Sequence, residues 1–324
     1  MHELNWGLPV ILYLFLGGMG AGSGAVSAYV FLRNGDGNFP ASNFRLARWG
    51  ALAAPPLVII GTGMIVFELG TFQVALQTLD FSLFFRFINL FKVINLSPMS
   101  IGSWVLALFI LVSIVYAYTF IGKNAQSGDQ LHSLRKLLAW AMVPLGIGVA
   151  LYTGILLGAM PGRPFWNSPL LALLFMVSAL STGVAGILLL RALFGHKHMV
   201  NAENFERNSY MLASSDLVLI ALEAGVLVLF LIFAHLTVGN VHAAVSVILG
   251  GELTTYFWLG FVILGLLIPA AIELKYILPA LLRREQFSIP RNMEIIVCAL
   301  VLIGGFMLRY IVVTAGQVTG PVGI

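Results

Sequence analysis

The chain has 324 residues, of which 60% are hydrophobic and only 9% charged, and its mean hydropathy is +0.98. Soluble domains carry about 25% charged residues, so this composition excludes a water-soluble globular protein and indicates an integral membrane protein. A net charge of +4 in such a chain reflects basic cytoplasmic loops rather than a nucleic-acid-binding surface.

A helix needs about 20 apolar residues to cross a bilayer. The opening residues, MHELNWGLPV, lack both a positive n-region and an A-x-A cleavage site, so the first apolar run is expected to be a retained span. Span 1 covers 8–32 and contains Gly17, Gly20, Gly22 and Ala25; the last three match the dinucleotide-binding pattern G-x-G-x-x-[GA]. That pattern works only where a strand precedes it and a helix opens after it. Here it lies inside an apolar run, so its small residues are expected to let helix backbones, or a flat ligand, approach closely. Tyr13 falls in the outer half of this span, as a ligand contact or as an interfacial belt tyrosine.

Span 2 covers 47–69 and ends on Glu68. Residues 72–98 are too polar to span. Phe81, Phe84, Phe85, Ile88 and Phe91 recur at helical spacing, with Arg86, Asn89 and Lys92 offset. This predicts a short amphipathic helix in the interface, or else a loop packed on neighbouring helices. Spans 3, 4 and 5 cover 101–122, 137–159 and 168–194. Span 4 carries Tyr152, and the turn PGRPFWNSP follows it.

Span 6 covers 212–236 and carries Asp216 and Glu223, seven positions and therefore about 10 Å apart on one helix face. Span 7, 253–281, carries Glu273. Span 8, 292–315, carries Arg309 and the single cysteine, Cys298, which excludes a disulfide framework and an iron–sulfur cluster held by this protein alone. The histidines (His2, His132, His196, His198, His235 and His242) all lie away from span centres, so no haem is expected. His196 and His198 read as loop residues or as a metal pair.

The flanks and loops of one side hold 13 Lys and Arg residues against 3 on the other, which places both termini outside. An ionisable residue at membrane depth costs roughly 2.5–3.5 kcal/mol on insertion scales and usually marks an ion, proton or ligand route. Glu68, Asp216, Glu223, Glu273 and Arg309 are such residues. Glu68 also reads as a headgroup contact, Glu273 as a partner of Lys275, and Asp216 with Glu223 as a structural hydrogen-bonded pair. Arg309 is expected to pair with one of the carboxylates.

In this order the segments YLFLGGMGAG, FELG, NLSPMSIGSW, YTGILLGAMPGRPFWNSPLLALLFMVSALSTG, DLVLIALE and LRY resemble the NrfD/PsrC family of polysulfide reductase-like membrane subunits, over the whole of 1–324. The resemblance implies an all-α, eight-transmembrane-helix subunit, built as two four-helix bundles, in a bacterial or archaeal cytoplasmic membrane. It implies a bound quinone, menaquinone in the first instance, and no haem or iron–sulfur cluster of its own. It also implies a docked four-cluster, ferredoxin-like iron–sulfur subunit leading to a molybdopterin catalytic subunit. Carried onto these residues, it assigns function to Tyr13, Glu68, Tyr152, Asp216, Glu223 and Arg309, and at position 68 relatives often have Asp.

Quinone chemistry needs an apolar slot with a donor at each carbonyl. Tyr152 is expected to supply one donor, and Tyr13 or Asn89 the other; Gly17 and Gly20 would let the ring approach. Residues 72–98 and the PGRPFWNSP turn, with Arg86, Lys92, Arg163 and Trp166, form the expected docking surface. Two rival readings are a proton-coupled secondary transporter, for which Pro144 and Pro269 would break helices, and a plain membrane anchor.

Overall fold

The computed structural model describes residues 6–33, 41–68, 88, 91, 97–121, 131–160, 162–195, 202–237, 240–283, 287 and 289–318, with backbone alone for 41–43, 67–68, 202–209, 240 and 283. These residues form helices and no strands. They are α1 (Leu8–Arg33), α2 (Ala41–Glu68), α3 (Pro98–Tyr118), α4 (His132–Gly158), α5 (Pro169–Phe194), α6 (Ala202–Leu236), α7 (Asn240–Gly250), α8 and α9 (Arg291–Val318). α8 runs in wide i→i−5 turns over Tyr256–Leu267 and as a regular helix over Ile268–Arg283. Among the described residues, eight helices are long and apolar enough to cross a membrane. α7, at eleven residues, is too short to do so. Of the predicted interfacial helix, only Ile88, Phe91 and the final Ser97 and Pro98 fall within the described residues; the Phe91 ring packs edge-on against Trp104 of α3, centroids 5.3 Å apart.

Local chemistry sets the helix starts. α3 begins at Pro98 behind Ser97, whose side chain accepts the Ser100 N–H at 3.3 Å. α5 likewise begins at a proline, Pro169, behind Ser168, but the Ser168 side chain makes no capping bond. Pro144 lies inside an unbroken α4. Pro269, which lacks an N–H, follows directly on the wide-turned segment, whose last bond runs from the Ile268 N–H to the Ile263 carbonyl.

α1, α2, α3 and α4 pack around one another as a four-helix bundle, and α5, α6, α8 and α9 form a second; the two meet through α1 and α4 against α5, and α1 against α9. α1 and α5 are the most buried spans. A helix surrounded on every side needs small residues on every side, and GGMGAGSGAVSA in α1 supplies them. Gly17 and Gly20 face α2: a Cβ at Gly20 would meet Val58 and the Ala54 carbonyl, and one at Gly61 would lie 3.1 Å from the Gly17 nitrogen. Gly22 and Gly183 bring α1 and α5 into backbone contact, and Gly265 and Gly304 do the same for α8 and α9.

A side chain at Gly22 would collide with the Ala179 backbone, so Gly22→Ala must push the two bundles apart. We expect it to lower stability by about 1–3 kcal/mol or more, read as a drop in unfolding temperature in detergent. Unchanged unfolding would refute this packing.

We call the end where α1 begins the entry face and the opposite end the basic face. At the basic face three of the arginines counted from the sequence as flanking charges prove to be tied into the packing. Arg135 is buried beneath the rings of Phe31, Phe44 and Phe120, its guanidinium 5.8, 5.0 and 4.8 Å from their centroids. It donates to the Thr119 carbonyl at 2.6 Å. Arg191 of α5 pairs with Glu294 of α9, and Arg291 donates to the Ala192 carbonyl at 2.7 Å.

Candidate functional site

Arg309 sits in the second bundle with 0% of its surface exposed. A cation so placed needs acceptors. Its Nη1 donates to the Ser178 hydroxyl at 2.5 Å and to the Gly305 carbonyl at 2.7 Å, and its Nη2 donates to the Phe175 carbonyl at 3.4 Å. The guanidinium also lies over the Phe175 ring, 5.2 Å from its centroid. Space for it comes from Gly18 and Gly305, where a Cβ would fall 3.4 and 3.3 Å from the guanidinium nitrogens.

Ser178 also stands within reach of Glu223 on α6, and Glu223 lies within electrostatic range of Arg309. One hydroxyl thus stands between a buried carboxylate and a buried guanidinium. One turn further along α5, the Ser181 hydroxyl donates to Asp216 Oδ1 at 2.8 Å. The antiparallel pair α5 and α6 therefore presents two serine–carboxylate rungs, with Asp216 1% and Glu223 4% exposed. The Glu223 Oε1, Arg309 Nε and Glu273 Oε2 atoms have no hydrogen-bond partner among the described residues. Buried polar atoms left open in this way call for a further partner, such as an ordered water.

Beyond Asp216 the line continues toward the basic face. Glu273 of α8 lies within electrostatic range of Asp216. Glu273, Glu294, Cys298 and Phe287 border a cavity of about 10 Å³, close to the minimum for one water. Glu294, paired with Arg191, ends the line.

The sequence singled out Asp216, Glu223, Glu273 and Arg309, and the structure brings them close together, buried in the second bundle. It adds Ser178, Ser181, Glu294 and Arg191. The two serines, three apart on one helix face, were the available signal. Glu294, four residues into α9, reads in sequence as a headgroup contact.

At the entry end Tyr13 is 1% exposed, and Tyr152 of α4 is half-buried. The two lie within electrostatic range of each other. The Tyr152 ring lies flat against Gly102 of α3, where any side chain would strike it. Gly102, which sequence reasoning passed over, is thus the seat of that ring. A Cβ at Gly17 would sit 3.6 Å from the Tyr13 ring. Gly20, expected to face a ligand, is instead filled by α2. The Glu68 side chain and Asn89 lie outside the described residues, as do Arg86, Lys92, His196 and His198.

Trp166 is a correction. Expected on a docking surface, it is buried: its indole Nε1 donates to the Val312 carbonyl at 2.8 Å, its ring occupies the space over Gly316, and Trp6 packs on it at 5.3 Å. The indole finds its acceptor inside the protein, so the turn is bolted to α9. Pro164 and Asn167 remain exposed.

Known proteins resemble this one from end to end. It is 28% identical over 323 residues to the C component of the polysulfide reductase of Wolinella succinogenes, and the match spans 98% of this protein and 95% of that one. It is 27% identical over 330 residues to protein NrfD of Escherichia coli, spanning 98% and 96%. The C component of the selenate reductase of Mesobacillus selenatarsenatis is 24% identical over 304 residues, spanning 82% of this protein and 65% of the relative. The profile of the polysulphide reductase NrfD family matches residues 1–321, and the chain belongs to that family.

Proposed function

We propose that this protein is the quinone-binding membrane subunit of a reductase complex, exchanging protons with a quinone near Tyr152 and Tyr13 through the buried serine–carboxylate line. The observation that carries the proposal is the fully buried Arg309, with Ser178 between it and Glu223. Buried charge in a membrane bundle is costly unless it is paired, and it persists where ions or protons move. Two relatives are named as lettered components of a polysulfide reductase and a selenate reductase, which fits one member of a multi-subunit reductase.

Quinone reduction takes up two electrons and two protons, and quinol oxidation releases them. The Tyr152 hydroxyl donates a hydrogen bond to one carbonyl oxygen, with its ring held in place by Gly102. In this reading Tyr13 serves the other carbonyl. Glu223, Asp216, Glu273 and Glu294 hand protons between this end and the basic face, while Arg309 holds Glu223 in register. Electrons pass to or from a ferredoxin-like iron–sulfur subunit docked on the entry face, beyond which lies a molybdopterin catalytic subunit. The membrane is the cytoplasmic one, with the basic face inward and both termini outside.

Tyr152→Phe tests this reading. It keeps the ring on Gly102 and removes only the hydroxyl. Quinone-linked electron transfer should fall about 100-fold or more, as for loss of a positioned acid–base group, while the complex still assembles. Wild-type rates in that variant would remove Tyr152 from the quinone site.

A further inference from the structure

Between the two bundles, on the basic-face half of the molecule, α1 and α4 on one side and α5 and α6 on the other enclose an open groove of about 770 Å³. Val26, Val143, Val184 and Val218 are among its walls. Its rim is different in kind. Arg33, Tyr29 and Tyr210 stand there, at the end of span 1 and the start of span 6, which is where a membrane meets water. The groove reaches from Arg33 down to Ala25, eight residues or about 12 Å along α1. One leaflet of hydrocarbon is about 15 Å deep.

Arg33 is exposed, and its guanidinium donates to the Met211 thioether at 3.2 Å. A thioether is a weak acceptor for a full positive charge. No carboxylate pairs with Arg33 among the described residues. An apolar cleft one leaflet deep, with a cation and two phenols at its mouth, has the layout of a single lipid: chains below and headgroup phosphate above. A neutral quinone would leave the guanidinium without an anion.

We propose that this groove is a fixed binding site for an anionic glycerophospholipid of the leaflet at the basic face. The acyl chains lie between α1, α4, α5 and α6, and the headgroup phosphate is held by Arg33. The site is separate from the quinone slot and wedges the two bundles where their helices diverge. Basic pockets between transmembrane helices are known to take such headgroups.

The test is native mass spectrometry of the full-length protein released from nanodiscs containing phosphatidylcholine and phosphatidylglycerol. The wild-type protein should retain phosphatidylglycerol in preference to phosphatidylcholine. Arg33→Gln should cut that preference about fivefold. Val218→Trp and Ile147→Trp fill the groove from opposite walls, and either should expel the lipid. Equal retention of the two lipids by the wild type would overturn the proposal. So would wild-type retention in a correctly folded groove-filling variant, or recovery of a quinone in place of the phospholipid.

Discussion

Arg309→Gln will cost about 3–5 kcal/mol of stability, the scale for leaving a buried charge uncompensated, and will abolish most quinone-linked turnover. The loss has two parts. The Phe175 and Gly305 carbonyls and the Ser178 hydroxyl lose a shared charged donor in a site with no exposure. Glu223 loses the cation that offsets its charge and stays buried beside a serine. Adding Glu223→Gln to Arg309→Gln removes that stranded carboxylate. The double variant should therefore be more stable than Arg309→Gln alone, a coupling that a double-mutant cycle reads directly. Thermal unfolding of the purified protein measures all four corners. Strict additivity would show that Arg309 and Glu223 do not act as a pair.

Glu223→Gln separates chemistry from structure. Glutamine keeps the shape of the side chain and its reach to Ser178, but it cannot carry a proton. Arg309 keeps three acceptors and the Phe175 ring, so its stranding is milder than that of Glu223 in the reverse case. We expect Glu223→Gln to cost less stability than Arg309→Gln, yet to slow quinone-linked turnover by about 100-fold, the scale of a lost proton-transfer group. Glu223→Asp, which keeps the carboxyl on a shorter arm, should fall between. Steady-state turnover of the assembled complex checks this order. A Glu223→Gln complex as fast as the wild type would take Glu223 out of the proton route.

The eight spans are legible in the sequence because lipid demands continuous apolarity and satisfied backbone bonds. What lipid does not demand is harder to read. α7 is too short to register as a span. α6 starts at Ala202, ten residues before its apolar run, because its first turns stand beyond the hydrocarbon. The absence of a strand before Gly20 points to packing, but only the structure shows that Gly20 meets α2, Gly22 meets α5 and Gly18 makes room for Arg309.

Among the site residues, charges at membrane depth stand out and hydroxyls do not. Thr182 lies one position from Ser181 but bonds back to the Ser178 carbonyl of its own helix at 2.8 Å, while Ser181 reaches Asp216. Sequence cannot tell these two uses of a hydroxyl apart. Arg191 and Glu294 each sit near a helix end, where either reads as a headgroup contact; their pairing exists only through the packing of α5 against α9. Trp166 misleads for the same reason: a Pro- and Gly-rich turn looks solvated, and the Val312 carbonyl that captures its indole is far away in sequence.

The most direct measurement is of charge movement in sealed vesicles holding the native complex, followed with a voltage-sensitive dye and a pH indicator during quinone-linked turnover. Protons exchanged with the compartment on the basic face, together with a membrane potential that the Glu223→Gln complex fails to build, are the predicted result. Turnover by the wild-type complex that moves no charge across the membrane would contradict the account.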